Sequence, residues 1–187
     1  VFSYNSKNRH KLTNSISLAT KEVDKKIANG EEFVVRFKTP ENKTIVCEDI
    51  LRGVVSVDSE TLDDKILYKS DGMPTYHFAN VVDDHHMKIS HVIRGEEWLP
   101  SLPLHSMIYD SFGWLDKPDF VHLPLILKPV GKGKLSKRDG DKFGFPIYAT
   151  SWSGITKTKG YKEFGFLPQA VVNFLSLLGW NPGTEKE

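Results

Sequence analysis

Between Lys128 and Lys142 the chain reads Lys-Pro-Val-Gly-Lys-Gly-Lys-Leu-Ser-Lys-Arg-Asp-Gly-Asp-Lys. Basic side chains stand at Lys128, Lys132, Lys134, Lys137, Arg138 and Lys142, against acids only at Asp139 and Asp141. Pro129 and the glycines at 131, 133 and 140 predict a segment outside regular structure. Backbone N–H groups in such a loop can point at oxyanions while lysines supply point charges, so the chemistry on offer is the wrapping of a polyphosphate. Read alone, the same residues also make a solvated basic loop or a nonspecific nucleic-acid patch.

A second constellation lies upstream. Ile89-Ser90-His91-Val92-Ile93 is a short, mostly apolar run of strand length and is followed at once by Arg94-Gly95-Glu96-Glu97-Trp98. It fits a buried strand of a parallel sheet, and open α/β sheets place ligands beyond the C-terminal ends of such strands. An arginine there can hold a carboxylate through two parallel hydrogen bonds. Glu97 can accept from a hydroxyl or amino group. In the preceding segment, Thr75 to Val82 reads as a helix that sets Tyr76 and Asn80 one turn apart on one face.

The elements that must position these groups follow from the patterning. Ser17 to Gly30 predicts an exposed, lysine-rich helix with Val23 and Ile27 on one side and Gly30 ending it. Four strands are expected at Glu32–Lys38, Thr44–Asp49, Gly53–Asp58 and Lys65–Lys69, forming a small antiparallel sheet. No constellation in residues 1 to 69 carries obvious chemistry. Asp71 and Pro74 suit a helix start. Leu102–Phe112 predicts an apolar-periodic helix closed by Gly113, and Phe120–Leu127 a strand that delivers the chain into the lysine loop. From Phe166 a further helix presents Ala170, Val171, Phe174, Leu175, Leu177 and Leu178, and Gly179 stops it. Helix, strand, helix, strand and phosphate-type loop make half of a nucleotide-binding α/β domain.

Composition narrows the classes. With 187 residues, 39% apolar and 26% charged, the chain can bury a core and is not of disordered type. A net charge of +1 means that any anionic partner must be held by local patches. The single cysteine, Cys47, can form neither an internal disulfide nor a cysteine-rich zinc site, which fits a reducing compartment. No apolar run approaches the roughly 20 residues of a membrane span. His77, His85, His86 and His91, with Asp83 and Asp84, lack the spacing of a metal site, so no protein-bound metal or zinc is expected. A start at Val1 and an end soon after an apolar helix suggest a piece of a longer protein.

Taken together, the motifs resemble those of the bacterial-type glutamyl-tRNA synthetases, class I aminoacyl-tRNA synthetases. The residues that carry the resemblance are Asp71-Gly72-Met73-Pro74-Thr75-Tyr76-His77-Phe78-Ala79-Asn80-Val81-Val82-Asp83-Asp84 and His91-Val92-Ile93-Arg94-Gly95-Glu96-Glu97-Trp98. Lys134-Leu135-Ser136-Lys137-Arg138 resembles the class I signature lysine loop. Gly165-Phe166-Leu167-Pro168-Gln169-Ala170-Val171-Val172-Asn173-Phe174-Leu175 through Gly179-Trp180 resembles the start of the stem-contact helices. The lysine loop is shared by many class I synthetases. The Tyr76 and Arg94 segments point to the glutamyl branch. The family's His-x-Gly-His type motif is absent.

The resemblance implies an α/β fold: the second half of a Rossmann-like catalytic domain at 71–127, preceded at 1–70 by part of a small antiparallel acceptor-end-binding inserted domain. Residues 128–187 would be the lysine loop and the start of a helical stem-contact domain. It implies glutamate–tRNA ligase activity in the full-length protein, with ATP as substrate accompanied by Mg²⁺, L-glutamate and tRNA(Glu) as partners, and a monomeric enzyme. The chain by itself is expected to be inactive. By the same resemblance Tyr76, Asn80 and Arg94 bind glutamate. Glu97, Trp98, Leu127, Lys134, Ser136 and Lys137 lie on the ATP side, with Lys134 and Lys137 stabilising charge as pyrophosphate leaves. A noncatalytic RNA-binding module, and a shortened paralogue that glutamylates a modified tRNA base, are the competing readings. The intact lysine loop disfavours the second.

Overall fold

A computed structural model describes residues 3–144, 146, 148–153 and 157–179; the side chains of residues 137, 138, 141, 152, 153, 157, 158 and 179 lie outside that description. The chain is mixed α/β and divides into two compact units, residues 1–94 with 98–122, and residues 95–97 with 123–187.

The first unit opens with a 3-10 turn at Arg9–Lys11 and the helix α1, Thr20–Ala28, which buries none of its residues. Strands β1 (Val35–Arg36) and β4 (Ile66–Tyr68) pair antiparallel. So do β2 (Thr44–Asp49) and β3 (Gly53–Asp58), in unbroken register from Thr44↔Asp58 to Asp49↔Gly53. The expected single sheet is thus two separate ribbons. The expected strand Glu32–Lys38 shrinks to two residues, because its register breaks between Val35 and Arg36 and Phe33, Val34 and Val35 remain exposed.

Helix α2 (Tyr76–His86) runs four residues beyond the expected Val82, through Asp83 and Asp84. Asp71 does not cap it. Its carboxylate accepts from Met73 N and Lys69 Nζ within its own turn, and Thr75 stands at the N-cap with its hydroxyl donated to Ile66 O. Strand β5 (His91–Gly95) leads into a 3-10 segment, Glu96–Ser101, and then helix α3 (Leu102–Ser111), ended by Gly113 at φ 69°. β5 is hydrogen-bonded to β6 (Asp119–Leu123), and its residues alternate between exposed and half-buried, so it is not the fully buried strand expected.

Two apolar clusters hold this unit. Val81, Leu104, Ile108 and Tyr109 join α2 to α3, with Phe37, Leu67, Phe78 and Trp114 around them; Cys47, Leu102 and Phe120 form the other. Burial of such side chains contributes roughly 1.5–3 kcal/mol each. A polar knot lies apart from both: Arg9, 0% exposed, donates to Thr39 O and faces Asp64 at 3.4 Å, and Asp64 accepts from Thr39 N.

In the second unit the strand expected to reach Leu127 stops at Leu123, since Pro124 has no N–H to continue a ladder. Ile126 and Leu127 pair instead across the loop: Leu135 N donates to Ile126 O at 2.7 Å and Lys128 N to Gly133 O at 3.1 Å. Gly131 and Gly133, at φ 91° and 106°, make that return possible. The lysine motif is not free of regular structure as expected. Helix α4, Lys137–Phe143, starts inside it, and Gly144 closes it in the left-handed conformation. A short antiparallel pair, β7 (Trp152–Ser153) with β8 (Lys157–Thr158), and helix α5 (Pro168–Gly179) follow; Val172, Phe174, Leu175, Leu177 and Leu178 of α5 are exposed. Trp180 and the residues after it lie outside the described part.

Candidate active site

In the first unit the site is built around Arg94, on β5. Its Nε donates to His122 Nε2 at 2.8 Å and its Nη1 to His105 Nδ1 at 3.2 Å. His122 Nδ1 lies 2.6 Å from Asp49 Oδ2, which also accepts from the His122 backbone N–H at 3.0 Å. His105 Nε2 lies 3.0 Å from His77 Nδ1. Four elements supply this chain: β2 gives Asp49, α2 His77, α3 His105 and β6 His122. His105 and His122 are 1% and 0% exposed.

A guanidinium has donors and no acceptor. His122 Nε2 and His105 Nδ1 therefore both accept, and each ring carries its proton on the other nitrogen. Burial, with Arg94, His77 and His122 nearby, pushes the His105 imidazole from its ordinary 6.5 down to about 3, so it is neutral at physiological pH. Burial also lowers His77. Arg94 is lowered by burial and supported by Tyr76, Asp84 and Asp49. The third donor group, Arg94 Nη2, is buried and has no hydrogen-bond partner among the described residues. A guanidinium donor of this kind can take a carboxylate through parallel, charge-assisted hydrogen bonds.

The neighbouring helix carries the other residues expected on the amino-acid side. Tyr76 and Asn80 start α2 one turn apart, as expected; Tyr76 is 54% exposed, and Asn80 Oδ1 is buried without a partner. Burial raises Asp84, one turn further along the helix. Trp98, grouped with the ATP side by resemblance, lies against Tyr76 with ring centroids 4.8 Å apart. His85 stacks on Trp114 at 3.7 Å, and among the described residues no group of three or more His, Cys, Asp or Glu could hold a metal ion. Nor is any described helix long and apolar enough to cross a membrane.

In the second unit Lys134 donates to Glu97, and this contact holds the Glu97 carboxyl below its ordinary range. The Glu97 carboxylate folds over Gly95, where an added Cβ would meet Oε2 at 2.0 Å. Ser136 is the N-cap of α4: its backbone N–H and hydroxyl both donate to Asp139 Oδ2 at 2.7 Å, and Lys128 stands 3.5 Å from Asp139 Oδ1. The Ser-x-x-Asp spacing was a readable capping signal. Leu127 is 65% exposed and bridges to Lys134 through its backbone. Lys137 begins α4, and its side chain is outside the described part. Sequence reasoning missed Asp49, His105 and His122; nothing in their local spacing joins residues so far apart.

The family described as "tRNA synthetases class I (E and Q), catalytic domain" matches residues 3–187, and the chain belongs to it. The glutamate–tRNA ligase of Flavobacterium johnsoniae is 61% identical over 190 residues, covering 100% of this chain and 37% of that protein. Two solved structures are similar at 55% identity, each covering 100% of this chain and 38% of theirs. They are the glutamate–tRNA synthetase of Elizabethkingia anophelis, with a TM-score of 0.84, and a glutamate–tRNA ligase of Elizabethkingia meningosepticum in complex with its amino acid, at 0.86. The chain thus spans a little over a third of the length of these relatives.

Proposed function

We propose that the chain is the glutamate-binding and lysine-loop portion of an enzyme that activates L-glutamate with ATP and transfers it to the 3′ end of tRNA(Glu). The glutamate α-carboxylate attacks the α-phosphate of ATP, giving glutamyl-adenylate and pyrophosphate; a ribose hydroxyl of the terminal adenosine then takes the glutamyl group. Positioning and charge stabilisation are the protein's share of this chemistry.

The observation that carries the reading is Arg94 Nη2, a buried donor without a partner on a guanidinium that has no carboxylate among its hydrogen-bond partners. It receives the side-chain carboxylate of glutamate, with Tyr76 and Asn80 contacting the same amino acid. Glutamine is disfavoured, because its amide would turn donors toward donors. Lys134 and Lys137 take the phosphates, and Mg²⁺ arrives with ATP. Glu97 meets the ribose once Lys134 leaves it, Trp98 flanks the nucleotide from its place beside Tyr76, and the Leu127 backbone meets the adenine. Ser136 acts there chiefly by starting α4. Residues 1–70 belong to an acceptor-end-binding insertion and 128–187 to the loop and stem-contact region. The working enzyme is a cytoplasmic monomer, and the chain alone does not turn over.

The test is glutamate-dependent pyrophosphate exchange, with tRNA present, in a full-length protein carrying Arg94→Ala. The expected result is a large rise in the KM for glutamate with little change in that for ATP. Near-normal exchange would refute the assignment.

A further inference from the structure

Arg94 is oriented by hydrogen bonds to neutral groups, while Asp84 and Asp49 support its charge from further off. Among the described residues its hydrogen-bond partners are two imidazoles, and the carboxylate of Asp49 is set one ring away behind His122. We propose that Asp49, His122 and His105 are positioning residues that fix the Arg94 guanidinium through neutral acceptors, leaving its third donor group for the substrate carboxylate. The inference rests on the reading of Arg94 given above and extends it to three residues on other elements.

Asp49 sets the tautomer. Its Oδ1 accepts from Leu51 N at 3.0 Å and Arg52 N at 2.8 Å, which shapes the turn between β2 and β3. Its Oδ2 accepts from the His122 ring and backbone. A carboxylate accepts only. It therefore holds the His122 proton on Nδ1 and leaves Nε2 bare for Arg94 Nε–H. His105 serves Nη1 in the same way: its Nδ1 accepts, and its Nε2–H is donated to His77. With Nε and Nη1 both committed, the guanidinium plane is fixed, over the Phe120 ring at 5.7 Å, and Nη2 is the group left over. Outer partners of this kind orient a binding group as they orient metal-bound histidines.

Asp49→Asn is the informative substitution. Its amide oxygen can still accept from Leu51 and Arg52, which turns its NH₂ toward His122. The ring must then accept at Nδ1 and carry its proton on Nε2, where it opposes Arg94 Nε–H, a donor against a donor. His122→Gln has no second ring nitrogen to switch and keeps an acceptor in reach of Arg94.

In a full-length protein, Asp49→Asn is expected to raise the KM for glutamate about 10- to 100-fold, with the KM for ATP unchanged and selectivity over glutamine reduced. In a His122→Gln background the same substitution is expected to raise that KM clearly less, because only the lost hydrogen bond from the residue-122 backbone N–H remains to be felt. An Asp49→Asn cost that is equal in both backgrounds, in KM or in yield of folded protein, overturns the proposal, because it would then act through the turn alone. Imidazole ¹⁵N spectra of the 187-residue chain give a readout without turnover: His122 protonated at Nδ1 and His105 at Nε2. The opposite tautomers overturn the proposal. Arg94→Ala separates the two levels. If it leaves the glutamate KM unchanged, the reading of Arg94 itself falls. If it raises that KM while Asp49→Asn does not, only the positioning role falls.

Discussion

His105 makes stability depend on pH in a direction and size that the structure specifies. The ring is 1% exposed, faces Arg94, His77 and His122, and has its pKa depressed from 6.5 to about 3. In the unfolded chain it takes up a proton near its ordinary pKa, whereas in the folded protein it resists. Below about pH 6.5 the unfolded state therefore binds more protons, and stability falls as pH falls; above it the contribution is complete. At roughly 1.36 kcal/mol per pH unit, lowering the pH from about 7.5 to about 5 costs about 2 kcal/mol from this residue. His105→Asn removes the titration and keeps a side-chain oxygen in reach of Arg94 Nη1. Urea unfolding followed by tryptophan fluorescence at both pH values is the assay. The wild-type chain is expected to lose about 2 kcal/mol more than the variant over that interval. Equal losses would refute the assignment of a buried neutral His105, and with it the acceptor role that its Nδ1 plays toward Arg94.

Three further outcomes are expected. Asp64→Ala strands the fully buried Arg9 charge and is expected to destabilise the first unit by about 3–5 kcal/mol in urea unfolding; a loss under about 1 kcal/mol would mean that Glu41 or water replaces the carboxylate. Ser136→Ala removes the hydroxyl of the capping box and should cost α4 about 1 kcal/mol, seen as faster amide exchange over residues 137–143. In Ile108→Ala the lost contact with Val81, Leu104 and Tyr109 is expected to lower stability by about 2–5 kcal/mol, with the same urea assay and no change in the His122 tautomer.

Much of this protein is legible in local sequence. β2 and β3 occupy the expected Thr44–Asp49 and Gly53–Asp58, because alternating apolar residues and the turn between them act over a few residues only. α3 and α5 follow from helical periodicity closed by glycine. The Tyr76, Arg94 and Lys134 motifs were enough to point to the family that residues 3–187 match. Other errors were local too: the Ser136-x-x-Asp139 cap was present in the sequence, and Pro124 already limited β6.

The partners of Arg94 were beyond the sequence by itself. It is a donor whose acceptors come from positions 105 and 122, the latter held by Asp49, from a stretch in which no chemistry was apparent. Hydrogen bonds between residues 11 to 73 positions apart exist only once β2, β5, β6 and α3 are folded around one another. Residue type told which side chain could bind a carboxylate; tertiary structure decided that imidazoles hold it and that, among the described residues, its Nη2 is unclaimed.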